Sequence, residues 1–524
     1  MRYSIAPWDL EFFIVNLISL AIINTYCLFF VKAKVIYSCS PIISTMQLYR
    51  ENHQLVIRNY TDTQLHNLKK ICFFDYKISS LGKVEHKFLT PYKIENGSFI
   101  TSMGFLHEIW ENFPDAETII RQRDNIIIPF KPTKTLWKEQ QKLLGEWYKN
   151  KKRGTIEVGT GSGKTLIGIY AIKMLSVPTI IIVPTDVIQK DTWYKMMTQD
   201  FGIPSKIIGF FGGRIDGKTI RQIRPLTIST YKSAYLKIDE LKGKFEFMIA
   251  DEVHHICAET YKNIALGLDC LYTCGLSATT ARQDMNHPLI FKTVGKLIKG
   301  PPMEELEKNK KVAPMEHKVF FVNLTEKERN SYEHYKAITN SASREEILSL
   351  AREEELEEIL EKLKRGIKSV TISFSHKARD TAMGAINKLP IVHQLVLKHY
   401  KSKILIFSVY LKHLDTLYKL LYKHFSVAIL THKIGDRETK KILENFHSGK
   451  IKILLSAFRI EEGLNVPSAD IGIIIAGHGI KRQKIQRSGR IRRYFPFKVA
   501  KLYEIVARDT DDERLYKRRM KSGD

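Results

Sequence analysis

Two short stretches carry residue types whose spacing suits the binding and cleavage of a phosphate anhydride. The first is Gly159-Thr160-Gly161-Ser162-Gly163-Lys164-Thr165, which follows the β-prone residues 154–158 and precedes an apolar helical run from Leu166. A glycine-rich turn lets successive backbone N–H groups wrap phosphate oxygens, and the helix N-terminus behind it adds its positive dipole end. In such a loop the lysine, Lys164, bridges the β- and γ-phosphates, and the hydroxyl of Thr165 sits on Mg2+. The strict pattern has glycine at position 158, where this chain has Val158. By itself the loop marks a phosphate site without naming a reaction.

The second stretch is the adjacent pair Asp251 and Glu252, delivered at the end of the apolar run 245–250 (FEFMIA). Ligands of α/β sheets bind at the carboxyl ends of the strands, where such a run would place the pair. One carboxylate, Asp251, suits Mg2+, and Glu252 suits the task of orienting and deprotonating an attacking water. An isolated Asp-Glu pair is commonly surface decoration. The hydrophobic run before it and its place downstream of Lys164 argue for chemistry instead.

Asp251-Glu252-Val253-His254 resembles the DEAD/DEAH box of superfamily 2 helicases, and further short motifs follow in that family's order. Leu136-Trp137-Lys138-Glu139-Gln140 resembles the element whose glutamine contacts adenine, with Trp137 where arginine is usual, so the resemblance assigns Gln140 to the nucleotide. Val183-Pro184-Thr185 and Ser229-Thr230-Tyr231 resemble the loops that touch the nucleic-acid backbone, which implies contacts from Pro184, Thr185 and Thr230. Gly275-Leu276-Ser277-Ala278-Thr279 matches the Ser-Ala-Thr element, so Ser277 and Thr279, with His254, are implied in coupling ATP state to unwinding. A helix cap is the alternative for any one of these Ser and Thr residues; their joint order favours the family reading. In the C-terminal part, residues 456–467 (SAFRIEEGLNVP) resemble the fifth motif, with Asn465 where aspartate is common. Gln486-Arg487-Ser488-Gly489-Arg490-Ile491-Arg492-Arg493 matches the sixth. Charge developing on a γ-phosphate calls for cations that arrive when two domains close. Arg490 and Arg493 are therefore read as arginine fingers and Gln486 as a partner of the water or γ-phosphate. Within the superfamily the resemblance is to XPB-like and phage UvsW-like DNA helicases, because Arg282-Gln283-Asp284 stands where that group carries Arg-Glu-Asp. It implies nucleic-acid contacts from Arg282 and Asp284.

These residues need a scaffold that brings distant loops to one edge. Strand-length apolar runs at 179–183, 226–229 and 247–250 alternate with segments long enough for crossover helices, the signature of a doubly wound parallel sheet. The alternation resumes after Ser402, with strand candidates at 403–407, 427–430, 451–455 and 471–475. Residues 54–58 and 125–129 read as strands of a smaller N-terminal unit, and 105–112 as its helix. Residues 343–368 (SREEILSLAREEELEEILEKLKRGIK) have no glycine before Gly366 and predict a long charged helix or helical hairpin, serving either as a solvated structural element or as a nucleic-acid grip. With the resemblance, the expected fold is α/β, with two tandem RecA-like domains. The divisions are a leader (1–40), a small DNA-recognition-like α/β domain (41–130), a first RecA-like domain that binds ATP (131–300), a linker with a helical thumb-like insertion between the motor domains (301–400), and a second RecA-like domain (401–524).

Composition sets the outer bounds. At 524 residues and 44% hydrophobic content the chain builds a sizeable core and is neither disordered nor fibrous. Its 83 Lys and Arg against 56 Asp and Glu leave a net charge of +27, which favours a polyanionic partner without separating DNA from RNA or an anionic membrane. The six cysteines, Cys27, Cys39, Cys72, Cys257, Cys270 and Cys274, lack the spacing of a disulfide framework, zinc site or iron–sulfur cluster. A reducing intracellular compartment, cytoplasmic, nucleoid or nuclear, is the expectation. Residues 12–31 (FFIVNLISLAIINTYCLFFV) are uncharged and long enough to span a bilayer. They read either as an N-terminal membrane anchor or as a leader added by a mis-assigned upstream start, with a buried helix as a third alternative. No separate nuclease cluster stands out, so any nuclease activity would come from a partner protein. The expected cofactors are ATP and Mg2+, the expected state a monomer, and the expected substrate DNA, with an RNA helicase or an ATP-gated clamp as the alternatives.

Overall fold

The computed structural model describes residues 45–80, 83–159, 161–215, 218–281, 284–431, 434–457, 469–476, 491–492 and 498–521. The hydrophobic leader at 12–31 therefore lies outside the described residues. Among those described, no helix is long and apolar enough to cross a membrane.

The first parallel sheet forms because its strands are unbroken apolar runs: Thr179–Val183, Leu226–Thr230 and Phe247–Asp251 are buried at every position. Strands buried on both faces belong to parallel sheets covered by helices. Eight strands run in the order Lys218–Arg221, Ile208–Ile215, Leu226–Thr230, Thr179–Val183, Phe247–Asp251, Tyr272–Ser277, Arg153–Glu157 and Leu297–Lys299. All pairings are parallel except that of Lys218–Arg221 with Ile208–Ile215. Register sets the edge that matters. Asp251 pairs with Leu276 and Ser277 with Glu157, so the segments leaving these three strands emerge side by side.

The second sheet is wholly parallel, in the order Met315–Val322, Ala500–Ala507, Ile471–Ile474, Ile404–Phe407, Ile453–Ser456 and Val427–Leu430. Together the two sheets form the tandem pair of parallel-sheet α/β domains that the sequence leads one to expect. Met315–Val322 pairs along its whole length with Ala500–Ala507, so the helical segment after it is flanked on both sides by strands of one sheet. That segment is not one long helix. Helices Glu326–Asn340, Arg344–Leu350, Glu353–Leu363 and Ile367–Met383 fold together over Ile338, Ile347, Ile359, Val370 and Phe374. The run 343–368 breaks at Ala351 and again before Gly366, whose φ of 102° lies in the left-handed region. Breaking there buries an apolar stripe that a straight charged helix would leave in water.

The N-terminal unit is a five-stranded sheet, ordered Tyr92–Glu95, Ser98–Thr101, Gln54–Arg58, Gln47–Glu51 and Glu117–Ile119, with helices Asp62–Ile71 and Leu106–Asn112. Residues 125–129 form no strand. Their chain runs along the first motor domain, with the Ile126 N–H donating to Ser176 O and Ile128 in the core, so their apolar character serves docking. Three arginines join this unit to the domain of the first parallel sheet. Fully buried Arg153 donates to the carbonyls of Cys270, Leu271, Gly104 and Thr293. Arg50 and Arg123 pair with the buried Glu246 and Asp269.

Candidate functional site

Arg153–Glu157 leads into the glycine-rich turn, and the helix Lys164–Leu175 leaves it. Gly161 and Gly163 adopt φ of 88° and 80°, a region open to glycine at little cost. A Cβ on Gly163 would also come within 2.5 Å of Gln140 Nε2. Ser162 Oγ donates to Gly159 O at 2.5 Å and closes the turn. Lys164 and Thr165 open the helix, where free N–H groups face the loop. Thr160 lies outside the described residues.

Gln140 is the third residue of helix Lys138–Lys149. Its Oε1 accepts the Trp137 N–H at 2.9 Å and its Nε2 donates to Ser162 O at 2.6 Å, in a side chain only 2% exposed. The role the structure displays for it is thus to tie a helix start to the phosphate loop.

Asp251 closes its strand, and the chain then turns through Glu252 in a left-handed conformation, φ 49° and ψ 55°. That turn sends the two carboxylates in different directions. Asp251 Oδ1 accepts the Glu252 N–H at 3.0 Å, and its Oδ2 accepts Trp193 Nε1–H at 2.9 Å. Burial, and then the neighbouring Glu252 charge, raise the Asp251 carboxyl above its usual range; the Trp193 bond and Lys164 work the other way. Glu252 Oε1 stands 3.5 Å from Lys164 Nζ. Its Oε2 accepts from Ser277 Oγ at 3.3 Å and lies 3.5 Å from His254 Nδ1, which is itself 3.2 Å from Ser277 Oγ. Ser277 also donates to Thr279 O at 2.7 Å and accepts the Thr279 N–H at 3.2 Å. Its single proton has two acceptors, Glu252 and the Thr279 carbonyl, so it can serve one of them at a time.

The structure therefore gathers Gln140, the described part of the phosphate loop, Lys164, Asp251, Glu252, His254, Ser277 and Thr279 at one sheet edge. Thr230 and Val183 are register partners at the neighbouring strand ends, which sets the 183–185 loop beside Thr230. Thr230 caps the helix Tyr231–Leu236, and Thr185 Oγ1 accepts the Ile188 N–H at 3.4 Å. Capping is thus one job of both hydroxyls. Tyr231 donates to Asp251 O at 2.9 Å. Asp284 accepts the Asn286 N–H. Arg282, Gln486, Arg490, Arg493 and most of the fifth motif lie outside the described residues. Of the sixth motif, Ile491 sits in the core of the second sheet and Arg492 pairs with Glu307.

Two partners escaped the sequence reading. Trp193 is a lone indole in a mixed polar and apolar run, and Glu157, which accepts Thr280 N and Oγ1 at 2.6 and 2.7 Å, is an acid beside a glycine-rich loop. Neither has a periodicity or spacing that announces its contact. Among the described residues no three His, Cys, Asp or Glu side chains form a metal cage. Mg2+ asks for less, being held by one or two carboxylates together with substrate phosphates. The buried Asp251 carboxylate, with the half-buried Glu252 next to it and the Thr165 hydroxyl at the helix start, fits that demand.

Residues 133–282 match the family model described as type III restriction enzyme, res subunit, and residues 387–495 match the helicase conserved C-terminal domain. A DNA 3'-5' translocase XPB2 of Sulfurisphaera tokodaii is 30% identical over 382 residues, covering 72% of this chain and 83% of that one. A DNA 3'-5' helicase XPB of Mycobacterium tuberculosis is 23% identical over 385 residues, 72% of this chain and 61% of its own length. The general transcription and DNA repair factor IIH helicase/translocase subunit XPB of Encephalitozoon cuniculi is 23% identical over 432 residues, 76% and 57% respectively. The chain thus spans under two thirds of these last two relatives.

Proposed function

Since the chain belongs to the XPB-like family of superfamily 2 helicases, we propose that it is an ATP-dependent DNA helicase or translocase that moves 3' to 5' in DNA repair, recombination or replication. The observation that carries this reading is the approach of Lys164 Nζ to Glu252 Oε1 at 3.5 Å, with Asp251 held beside them. A phosphate cation and a carboxylate base face one another where a γ-phosphate and its attacking water would lie.

In this reading Gly159, Thr160, Gly161, Ser162 and Gly163 cradle the phosphates through backbone N–H groups, and Lys164 neutralises the β- and γ-oxygens. Thr165 and Asp251 hold Mg2+. The metal supplies charge neutralisation on the phosphate oxygens. Glu252 orients water for in-line attack on the γ-phosphorus and takes its proton. Arg490 and Arg493, with Gln486, complete the site from the second domain and stabilise charge on the transferring group. Ser277 and His254, both against Glu252, make the base sensitive to the segment leading through Thr279 towards Arg282 and Asp284. Those two, with Pro184, Thr185 and Thr230, are the proposed DNA contacts. The net charge of +27 supports the long-range attraction. The small N-terminal unit is proposed to recognise DNA and the helices after Met315–Val322 to grip it, and a nuclease or other repair protein is a proposed partner.

Strand displacement from duplexes carrying a 3' or a 5' single-stranded tail tests direction. Displacement from the 3'-tailed substrate alone supports the proposal, and displacement only from the 5'-tailed substrate refutes its polarity.

A further inference from the structure

Trp193 is buried completely, in a helix that runs from Ile188 to Tyr194 with hydrogen bonds in the wide i→i+5 pattern. Helices of that kind are rare and concentrate at functional sites. The indole is fixed at both ends. At its rim, Gly168 of the phosphate-loop helix leaves it room: a Cβ there would come within 2.5 Å of Trp193 Cη2. At its polar tip, Nε1 donates to Asp251 Oδ2 at 2.9 Å. The other carboxylate oxygen accepts the Glu252 N–H, so one donor on each oxygen sets the plane of the group.

An indole is suited to this task in a way that a histidine or a hydroxyl is not. It supplies a large apolar body for the core and one N–H, with no acceptor and no proton to lose near neutral pH. It can orient a carboxylate without competing for a cation or neutralising the group. Each carboxylate oxygen keeps a further lone pair for a cation.

We infer that Trp193 is a positioning residue that holds the Asp251 carboxylate in the orientation in which it receives the nucleotide-bound divalent cation. This rests on the proposed role of Asp251 as a Mg2+ ligand. Outer hydrogen-bond partners of metal ligands typically contribute ten- to a hundredfold in metal affinity, so the indole N–H should be worth about tenfold.

The test uses the full chain and its Trp193→Phe variant, which keeps an aromatic ring and removes the N–H. A fluorescent ADP analogue is titrated with excess Mg2+ and again with EDTA. The variant should bind metal-free nucleotide as the wild type does and lose about tenfold of the affinity gained with Mg2+. A gain equal to the wild type's overturns the inference while leaving Asp251 as ligand. A wild-type chain whose nucleotide affinity ignores Mg2+ removes the role of Asp251 and this inference with it. A second measurement does not depend on the variant's folding. In 5-fluorotryptophan-labelled wild-type chain, one 19F resonance should shift with Mg2+-ADP and stay in place with metal-free ADP. Absence of any metal-specific shift overturns the inference.

Discussion

Replacing Glu252 by glutamine removes one proton acceptor while keeping the side-chain shape. The amide can still reach Ser277 and His254, at 3.3 and 3.5 Å from the present Oε2. What is lost is the ion pair with Lys164 at 3.5 Å, whose partners are 12% and 19% exposed. A pair in partial contact with water contributes modestly, so folding stability should change by no more than about 1 kcal/mol. Nucleotide binding should hold or tighten, because a negative charge leaves the neighbourhood of the phosphates. The same loss removes one of the two causes that raise the Asp251 carboxyl, so Asp251 becomes ionised more readily. Turnover behaves differently. Positioned general bases contribute about 10²–10⁴-fold, so kcat should fall by at least about 10² with melting temperature unchanged. Steady-state ATP hydrolysis beside thermal unfolding of both proteins reads the two quantities. A variant that hydrolyses ATP within a fewfold of wild type refutes Glu252 as the base.

Lys164→Ala should abolish nucleotide-dependent turnover and leave the circular dichroism spectrum unchanged; retained hydrolysis would dismiss Lys164 as the phosphate cation. Arg490→Ala should spare nucleotide binding and slow hydrolysis by about 10³-fold or more; an unchanged rate would remove it as a finger. Arg123→Ala leaves Arg50 as the one arginine on the buried Glu246 and Asp269, with His53 and the Gly243 N–H still on Asp269, and chemical denaturation should report a loss of about 3 kcal/mol, the low end for breaking a buried pair. Burial opposes ionisation of Asp269, yet Arg123 and Arg50 outweigh it and hold its folded carboxyl below the ordinary value. A depressed folded pKa stabilises above the unfolded value and the contribution is lost as pH falls through the folded one. The variant's deficit should therefore shrink as the solution is acidified below the carboxylate range, and a deficit independent of pH would contradict the assignment.

The parts of the fold that could be read beforehand are those whose physics is local. Residues 179–183 and 427–430 are strands to the residue, because apolar runs bounded by proline or turn residues leave little choice. The glycine-rich turn before Lys164 and the place of Asp251-Glu252 at a strand end were legible for a similar reason: glycine placement and a buried strand are written in consecutive residues. Met315–Val322 was not legible. It is an edge strand in which Glu316, His317 and Lys318 interrupt the apolar pattern, and its partner Ala500–Ala507 is distant in sequence. Residues 125–129 have strand composition without a sheet neighbour, and residues 343–368 have helix propensity throughout, yet bend to bury Ile347 and Ile359. Trp193 and Glu157 gain their meaning only from tertiary contact, as do Arg50 and Arg123, whose carboxylate partners lie far along the chain.

That DNA drives the ATPase built around Lys164, Asp251 and Glu252 is the heart of the proposed function. It is tested most directly by measuring ATP hydrolysis alone and with single-stranded DNA, duplex DNA, forked DNA or RNA at fixed salt. Hydrolysis should rise on adding DNA and rise little with RNA if the proposed function holds. Hydrolysis stimulated by RNA alone, or indifferent to every nucleic acid, would contradict it.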